Sequence, residues 1–263
     1  TEQSDLNQAM YGRNGECPAV VIAAQSASDC FDTAFEACKI ALEFMLPVIL
    51  LSDGYIANGS EPWSLPDLDK LPKIKTKILK KATDEKFSPY KRDEKTLARD
   101  WALPGTPGLE HRIGGLEKEA VSGNVSYDAD NHDYMVKLRQ QKIDVIADFI
   151  PELEVYGNPK GELLILSWGG TYGACRAAVE KANKNKISVS HINLKYINPF
   201  PKNLGEILLK FNKVLIPEIN LGQLSTIIRS KFLIDTLNFN RVSGKPFTTT
   251  DIYEKIEQII EES

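Results

Sequence analysis

The chain has 263 residues, 42% hydrophobic and 26% charged, with 32 basic against 36 acidic side chains and a net charge of −4. This composition describes a globular chain of one or two domains, long enough to bury a substantial core, and it excludes global disorder. The near-balanced, slightly acidic charge argues against a nucleic-acid partner, and no apolar run approaches the ~20 residues that cross a bilayer.

Residues 19–24 (AVVIAA) form a short apolar run and predict a buried strand. Residues 29–45 follow with apolar side chains at Phe31, Ala34, Phe35, Cys38, Ala41, Leu42 and Met45, a 3.6-residue period that predicts an amphipathic helix stopped by Pro47. Residues 47–52 (PVILLS) are apolar on both faces, as in a parallel strand covered by helices, which completes a right-handed βαβ unit. From 53 to about 130 the character changes. Prolines at 62, 66, 72, 89, 104 and 107, frequent glycines and a basic run over 70–81 predict an ordered, irregular excursion lying on a larger surface than this chain supplies. Trp63, Tyr90 and Trp101 lie along it.

A helix is predicted over 132–150, ended by Pro151. A second alternation follows, with strands at 162–167, 187–194 and 213–217 and helices at 171–183, 203–211, 224–232 and 250–262. That order predicts a small doubly wound α/β domain. The four cysteines, Cys17, Cys30, Cys38 and Cys175, show no C-x-x-C spacing, which disfavours a zinc site, an iron–sulfur cluster on this chain or a disulfide framework, and points to a reducing compartment.

Several motifs carry chemistry in other proteins. Trp168-Gly-Gly-Thr-Tyr-Gly173 joins a strand to a helix, where backbone N–H groups can hold an anion, but close strand–helix packing is the better reading of its glycines. Ser52-Asp53-Gly54 with Asn58 is too tightly spaced for a diphosphate-bound metal, which needs Gly-Asp-Gly and an Asn some 25–30 residues later; a strand-end turn is the better reading, with Asp53 facing a site without ligating a metal. Glu110, His111 and His132 form no nucleophilic or metal-binding spacing. Glu218-Ile-Asn220-Leu-Gly222-Gln223 again sets polar groups at a strand's carboxyl end, and the basic run over 70–81 reads as a solvated face.

Taken together, Pro107-Gly-Leu-Glu-His111, Gly114-Gly115, then His132, Met135 and Arg139 resemble the alpha subunit of the 2-oxoacid:ferredoxin oxidoreductases. Thr1-Glu-Gln-Ser-Asp-Leu6, Leu51-Ser-Asp-Gly-Tyr55, Ala102-Leu-Pro-Gly-Thr-Pro-Gly108, WGGTYGACRAAV from Trp168, INPFP from Ile197 and PEINLGQL from Pro217 are similar to it as well. The resemblance covers nearly the whole chain and is strongest to the bacterial 2-oxoglutarate enzymes. It implies a thiamine-diphosphate enzyme that oxidatively decarboxylates a 2-oxoacid with coenzyme A, giving the acyl-CoA and carbon dioxide and reducing ferredoxin.

It also implies an architecture: residues 1–52 as the tail of a pyrimidine-binding α/β domain, 53–158 as an irregular connection ending in a helix, and 159–263 as a domain like the C-terminal domain of transketolase. In the family, the glutamate that activates thiamine and the substrate-holding Tyr-Pro-Ile-Thr-Pro segment and arginine lie upstream of Thr-Glu-Gln. A beta subunit supplies the Gly-Asp-Gly diphosphate site, the Mg²⁺ ligands and the iron–sulfur cysteines. No catalytic, cofactor-binding or metal-ligating residue is therefore assigned to a numbered position. The chain, which begins at Thr1 without a signal peptide, is expected to be a C-terminal fragment of a cytoplasmic alpha subunit, structural and catalytically silent alone. The alternatives are a paralogous pyruvate, branched-chain or indolepyruvate enzyme, a non-catalytic adaptor of the same fold, and a nucleotide-binding module using the loop at Gly169–Gly173.

Overall fold

The computed structural model describes residues 2–82 and 87–262. Thr1, the first residue of the Thr-Glu-Gln segment, lies outside the described residues. The chain opens with α1 (Leu6–Tyr11), β1 (Val20–Ala23), α2 (Asp29–Phe44) and β2 (Val48–Leu51), followed by a single turn of helix, α3 (Gly54–Ala57). Among the described residues the strands of the excursion are two residues long, β3 (Ile78–Leu79) and β4 (Trp101–Ala102), which pair in parallel, and it ends in α4 (Ala129–Asp144). The helix predicted over 132–150 divides: its α-helical part stops at Asp144 and a 3-10 turn covers Val145–Asp148. The second alternation comprises β5 (Gly161–Trp168), α5 (Tyr172–Lys184), β6 (Val189–Leu194), β7 (Tyr196–Asn198), α6 (Leu204–Leu208), β8 (Phe211–Glu218), α7 (Gln223–Phe232), β9 (Leu237–Asn240) and α8 (Thr249–Glu261).

Four strands in the order β6-β5-β8-β9 make an all-parallel sheet with helices on both faces. Alternation along β5 assigns the faces. Leu163 and Ile165 meet Cys175, Val179, Ile252 and Ile256 of α5 and α8, whereas Leu164 and Leu166 meet the face carrying Leu204, Ile207, Leu224 and Ile228 of α6 and α7. All these side chains are within a few per cent of complete burial, which explains why β5 and β8 read as continuous apolar runs.

The first sheet has the order β2-β1-β7. β1 pairs with β2 in parallel, as the βαβ reading requires, but its other neighbour, β7, runs antiparallel and comes from the far half of the chain. Asn198 Nδ2 donates to Ala19 O (2.7 Å), Ala23 N to Lys195 O (2.8 Å), and Lys195 pairs with Asp29 (2.6 Å). The two faces of β1 lie in different cores. Val20 and Ile22 pack with Ile40 and Phe44 of α2 and with Ile143 and Ile146, while Val21 and Ala23 join the core around Leu164 and Ile216. The first βαβ unit thus shares a core with the second sheet.

Sequence periodicity did not register α1, β7 or β9, each too short to display a period. The helix expected over 203–211 ends at Leu208, because Leu209 points into solvent and Phe211 already belongs to β8. Trp63 and Trp101 tie the excursion to α2: the Trp63 ring lies 5.7 Å from that of Phe31, and the Trp101 indole N–H donates to Leu42 O at 2.9 Å.

Candidate functional site

In an open parallel sheet, ligands sit beyond the carboxyl ends of neighbouring strands whose connections leave in opposite directions. Here those strands are β5 and β8. The Gly-rich loop after β5 and the Glu218–Gln223 segment after β8 both reach that crevice, so the two motifs meet at one place. The chain's own side chains fill it. The Gln3 amide donates to Trp168 O (2.7 Å) and accepts from Ile219 N (3.0 Å), while Gln3 N donates to Ile219 O (3.1 Å) and Asn220 Nδ2 to Gln3 O (2.9 Å). The main chain and side chain of Gln3 thereby bridge the strand ends.

Asp53 closes the loop from the other side. Its Oδ1 caps α3 by accepting from Tyr55 N (3.0 Å) and Ile56 N (3.1 Å), and its Oδ2 accepts from Gly170 N at 2.6 Å. The N–H that could hold a phosphate therefore holds a carboxylate. A Cβ at Gly170 would stand 2.6 Å from Asp53 Oδ2, and one at Gly169, whose φ is +56°, would stand 2.8 Å from Gln3 Nε2. The glycines are required by the approach of the chain itself. Asn58 Nδ2 donates to Gly54 O (2.9 Å), so it ends the turn of helix that Asp53 begins.

Glu218 is fully buried in the same place. Its carboxylate accepts from Leu224 N (2.8 Å), Ser225 N (3.0 Å), Asn220 Nδ2 (3.0 Å) and the Trp168 indole (3.3 Å). Its carboxyl sits at the N-terminus of α7, where the helix dipole favours the charged form. Burial raises its pKa, against the opposing pull of those four donors. Asn220 Oδ1 adds bonds to Gly222 N (2.7 Å) and Gln223 N (3.0 Å). The remaining space beside Gln3, Ser52, Asp53 and Trp168 is about 150 Å³, below the range of about 300–1,000 Å³ typical of ligand pockets.

The other singled-out residues lie apart. His111 bonds to Leu109 O (2.9 Å) and stands edge-on to Phe87, while Glu110 is exposed. His132 and Arg139, one helical face of α4, both pair with Glu117, Arg139 at 3.0 Å. Burial works against ionisation of Glu117, but these two partners outweigh it and lower its pKa. The lysines over 70–81 are exposed, with Lys77 held by Asp93 (2.7 Å).

Two family models match the chain in succession: "Pyruvate flavodoxin/ferredoxin oxidoreductase, thiamine diP-bdg" over residues 1–130, and "Pyruvate:ferredoxin oxidoreductase core domain II" over residues 161–252. The 2-oxoglutarate oxidoreductase subunit KorA of Mycobacterium tuberculosis (strain ATCC 25618 / H37Rv) is 53% identical over 96% of this chain. The chain belongs to the alpha subunits of the 2-oxoacid:ferredoxin oxidoreductases. A 2-oxoacid:ferredoxin oxidoreductase alpha subunit of Sulfurisphaera tokodaii is 27% identical over the whole chain. A solved 2-oxoglutarate:ferredoxin oxidoreductase from Magnetococcus marinus, with 2-oxoglutarate, coenzyme A and succinyl-CoA bound, superposes on 98% of the chain with a TM-score of 0.90 and 29% identity. The chain spans 38% of the M. tuberculosis subunit, 42% of the S. tokodaii subunit and 45% of the M. marinus chain.

For an alpha subunit of this family, the crevice does not fit thiamine diphosphate or its Mg²⁺. Asp53 and Asn58 are both engaged as helix caps, the Gly170 amide is engaged by Asp53, and the Leu224 and Ser225 amides are engaged by Glu218. Sequence reasoning missed Gln3, the residue that joins the strand ends. A single amide side chain in a six-residue N-terminal stretch has no periodic or spacing signal to betray it.

Proposed function

We propose that this chain is the scaffolding part of the alpha subunit of a thiamine-diphosphate-dependent 2-oxoglutarate:ferredoxin oxidoreductase. The whole enzyme would convert a 2-oxoacid and coenzyme A to the acyl-CoA and carbon dioxide while reducing ferredoxin. The observation that carries this reading is the 53% identity to a 2-oxoglutarate oxidoreductase subunit along nearly the full chain, with both family models in the same order. Substrate choice follows the same comparison; pyruvate, branched-chain and indolepyruvate enzymes are the rival paralogues.

A beta subunit would bring the diphosphate site, the Mg²⁺ ligands and an iron–sulfur cluster, and the activity would be cytoplasmic. Residues 1–52 would continue a pyrimidine-binding domain, 53–158 would connect, and 159–263 would form the transketolase C-terminal-like domain. The separation of the β2-β1-β7 sheet from the β6-β5-β8-β9 sheet supports this reading, and β7 is the strand that crosses it. The role of this part would be structural, because its polar side chains at the strand ends are engaged with one another. Among the described residues no helix is long and apolar enough to cross a membrane.

The test is viologen reduction by the intact alpha subunit with its beta partner, thiamine diphosphate, Mg²⁺ and coenzyme A, across a panel of 2-oxoacids. A marked preference for 2-oxoglutarate is expected. Preference for another 2-oxoacid would reassign the substrate, and reduction by this chain alone would overturn the scaffolding role.

A further inference from the structure

A concave cleft of about 700 Å³ lies between α4 and the segments around residues 90–99 and 115–118. It is within the size range of small-molecule sites. Arg92, Arg99, Lys118, Arg139 and Lys142 line it, against two carboxylates, Glu16 and Glu117. Glu117 is already engaged by Arg139 and His132, and Glu16 is exposed.

Among the described residues the other four cations donate to backbone carbonyls. Arg92 Nη1 reaches Tyr90 O and Ala120 O (both 3.0 Å), Arg99 Nη1 reaches Pro89 O (3.2 Å), Lys142 Nζ reaches Met45 O (2.9 Å), and Lys118 Nζ reaches Gly114 O (2.8 Å) and Leu116 O. Among the described residues none of these four forms an ion pair. Lys118 is almost completely buried, and the other three are partly buried. Arg92 and Arg99 face each other across an antiparallel bridge, and both guanidinium groups approach the Tyr90 ring, at 5.6 and 4.3 Å from its centroid.

Partly desolvated cations of like sign at close quarters are unfavourable unless an anion joins them. The strain registers at Lys142, whose ammonium is pushed down to about 7 by burial and then by the charges of Arg99 and Arg92. Three chain segments converge to hold this arrangement. A lone carboxylate would answer one charge, whereas a phosphate or diphosphate answers several and matches the fork of a guanidinium.

We propose that this cleft binds a phosphate-bearing small molecule of the diphosphate class through Arg92, Arg99, Lys118 and Lys142. The site is separate from the strand-end crevice and goes beyond the activity proposed above. A free diphosphate and the diphosphate of a nucleotide share the recognising chemistry.

Calorimetric titration of the intact protein with inorganic pyrophosphate and with ADP tests it. Saturable one-to-one binding is expected, weakened by salt. Arg99→Gln or Lys142→Met should each weaken it about tenfold or more, the factor for one charge-assisted contact, while Lys202→Met, which does not line the cleft, should not. Tighter binding of ADP than of pyrophosphate would identify a nucleotide, and equal binding a free diphosphate. Absence of saturable binding to either probe, or full-strength binding by Arg99→Gln, would overturn the proposal. Should the variants fail to fold, acylation of Lys142 by an amine-reactive ester in the native protein gives a second readout. Pyrophosphate should protect Lys142; no protection, or protection by an acidic peptide only, would overturn the small-molecule reading.

Discussion

Asp53 uses both carboxylate oxygens within the chain, one on the first turn of α3 and one on the Gly170 amide. Asp53→Ala removes a cap and orphans a donor in a part-buried site, so it should cost about 1–3 kcal/mol. Gly170→Ala drives a methyl group against the same carboxylate and should also destabilise. In the Asp53→Ala background most of the Gly170→Ala penalty should vanish. A urea-denaturation double-mutant cycle reads this coupling, and strictly additive penalties would contradict it.

His191 gives a pH dependence. It is buried beside Ser167, whose Oγ lies 2.7 Å from its Nε2, and burial followed by the charge of Arg176 lowers its pKa from 6.5 to about 3. The unfolded chain takes up this proton as pH falls through the ordinary histidine range, and the folded chain does not. Protonation therefore favours unfolding: the contribution of the neutral imidazole is fully present above the unfolded pKa and is lost as pH falls below it, by up to about 1.4 kcal/mol per pH unit. Comparing urea midpoints near neutral pH and near pH 5 should show a shallower loss in His191→Gln than in the native chain. Equal slopes would mean that the folded protein accepts the proton.

At the scale of elements, α1 stands out as a six-residue helix too short to be stable alone. It is held by Leu6 and Ala9, which enter the core with Leu224, Ile227 and Ile228, and by the exchange of Asn7 N to Gln223 Oε1 and Gln223 Nε2 to Ser4 O, both 2.9 Å. Leu6→Ala should cost about 2–5 kcal/mol, whereas Leu209→Ala, 77% exposed at the end of α6, should change stability by less than about 0.5 kcal/mol. Thermal melts of the two variants check the contrast. β7 illustrates a related dependence. Three residues carry no strand signal of their own, and their pairing follows from Asn198, Lys195 and the edge that β1 offers.

Across the whole molecule, order is unevenly distributed. Strands β5 and β8 are buried on both faces, while residues 58–82 present mostly exposed side chains on a backbone with little ladder pairing. Limited trypsin digestion should cut first among the lysines over 70–81 and leave the β6-β5-β8-β9 sheet intact. If this excursion wraps a neighbouring subunit, the same cuts should slow when the beta partner is bound. First cleavage within residues 161–218 would contradict this ordering of stability.

The α/β alternation was legible in the residues because burial on two faces writes a local pattern: the apolar runs of β1, β2, β5 and β8, and the 3.6-residue period of α2, α5 and α8. The motifs that carried the family resemblance were also local, which is why the comparisons agree with it. The state of the candidate site was not legible. The Gly-rich loop could hold either an external phosphate or an internal carboxylate, and the choice fell to Asp53, 117 residues away; Gln3 reaches Trp168 across 165 residues. The cationic cleft likewise assembles Arg92 and Arg99 with Lys142 from segments whose charges look unremarkable in order. Short-range periodicity reports which face of an element is buried, but the partner of a polar group is selected only when distant segments are brought together and desolvated.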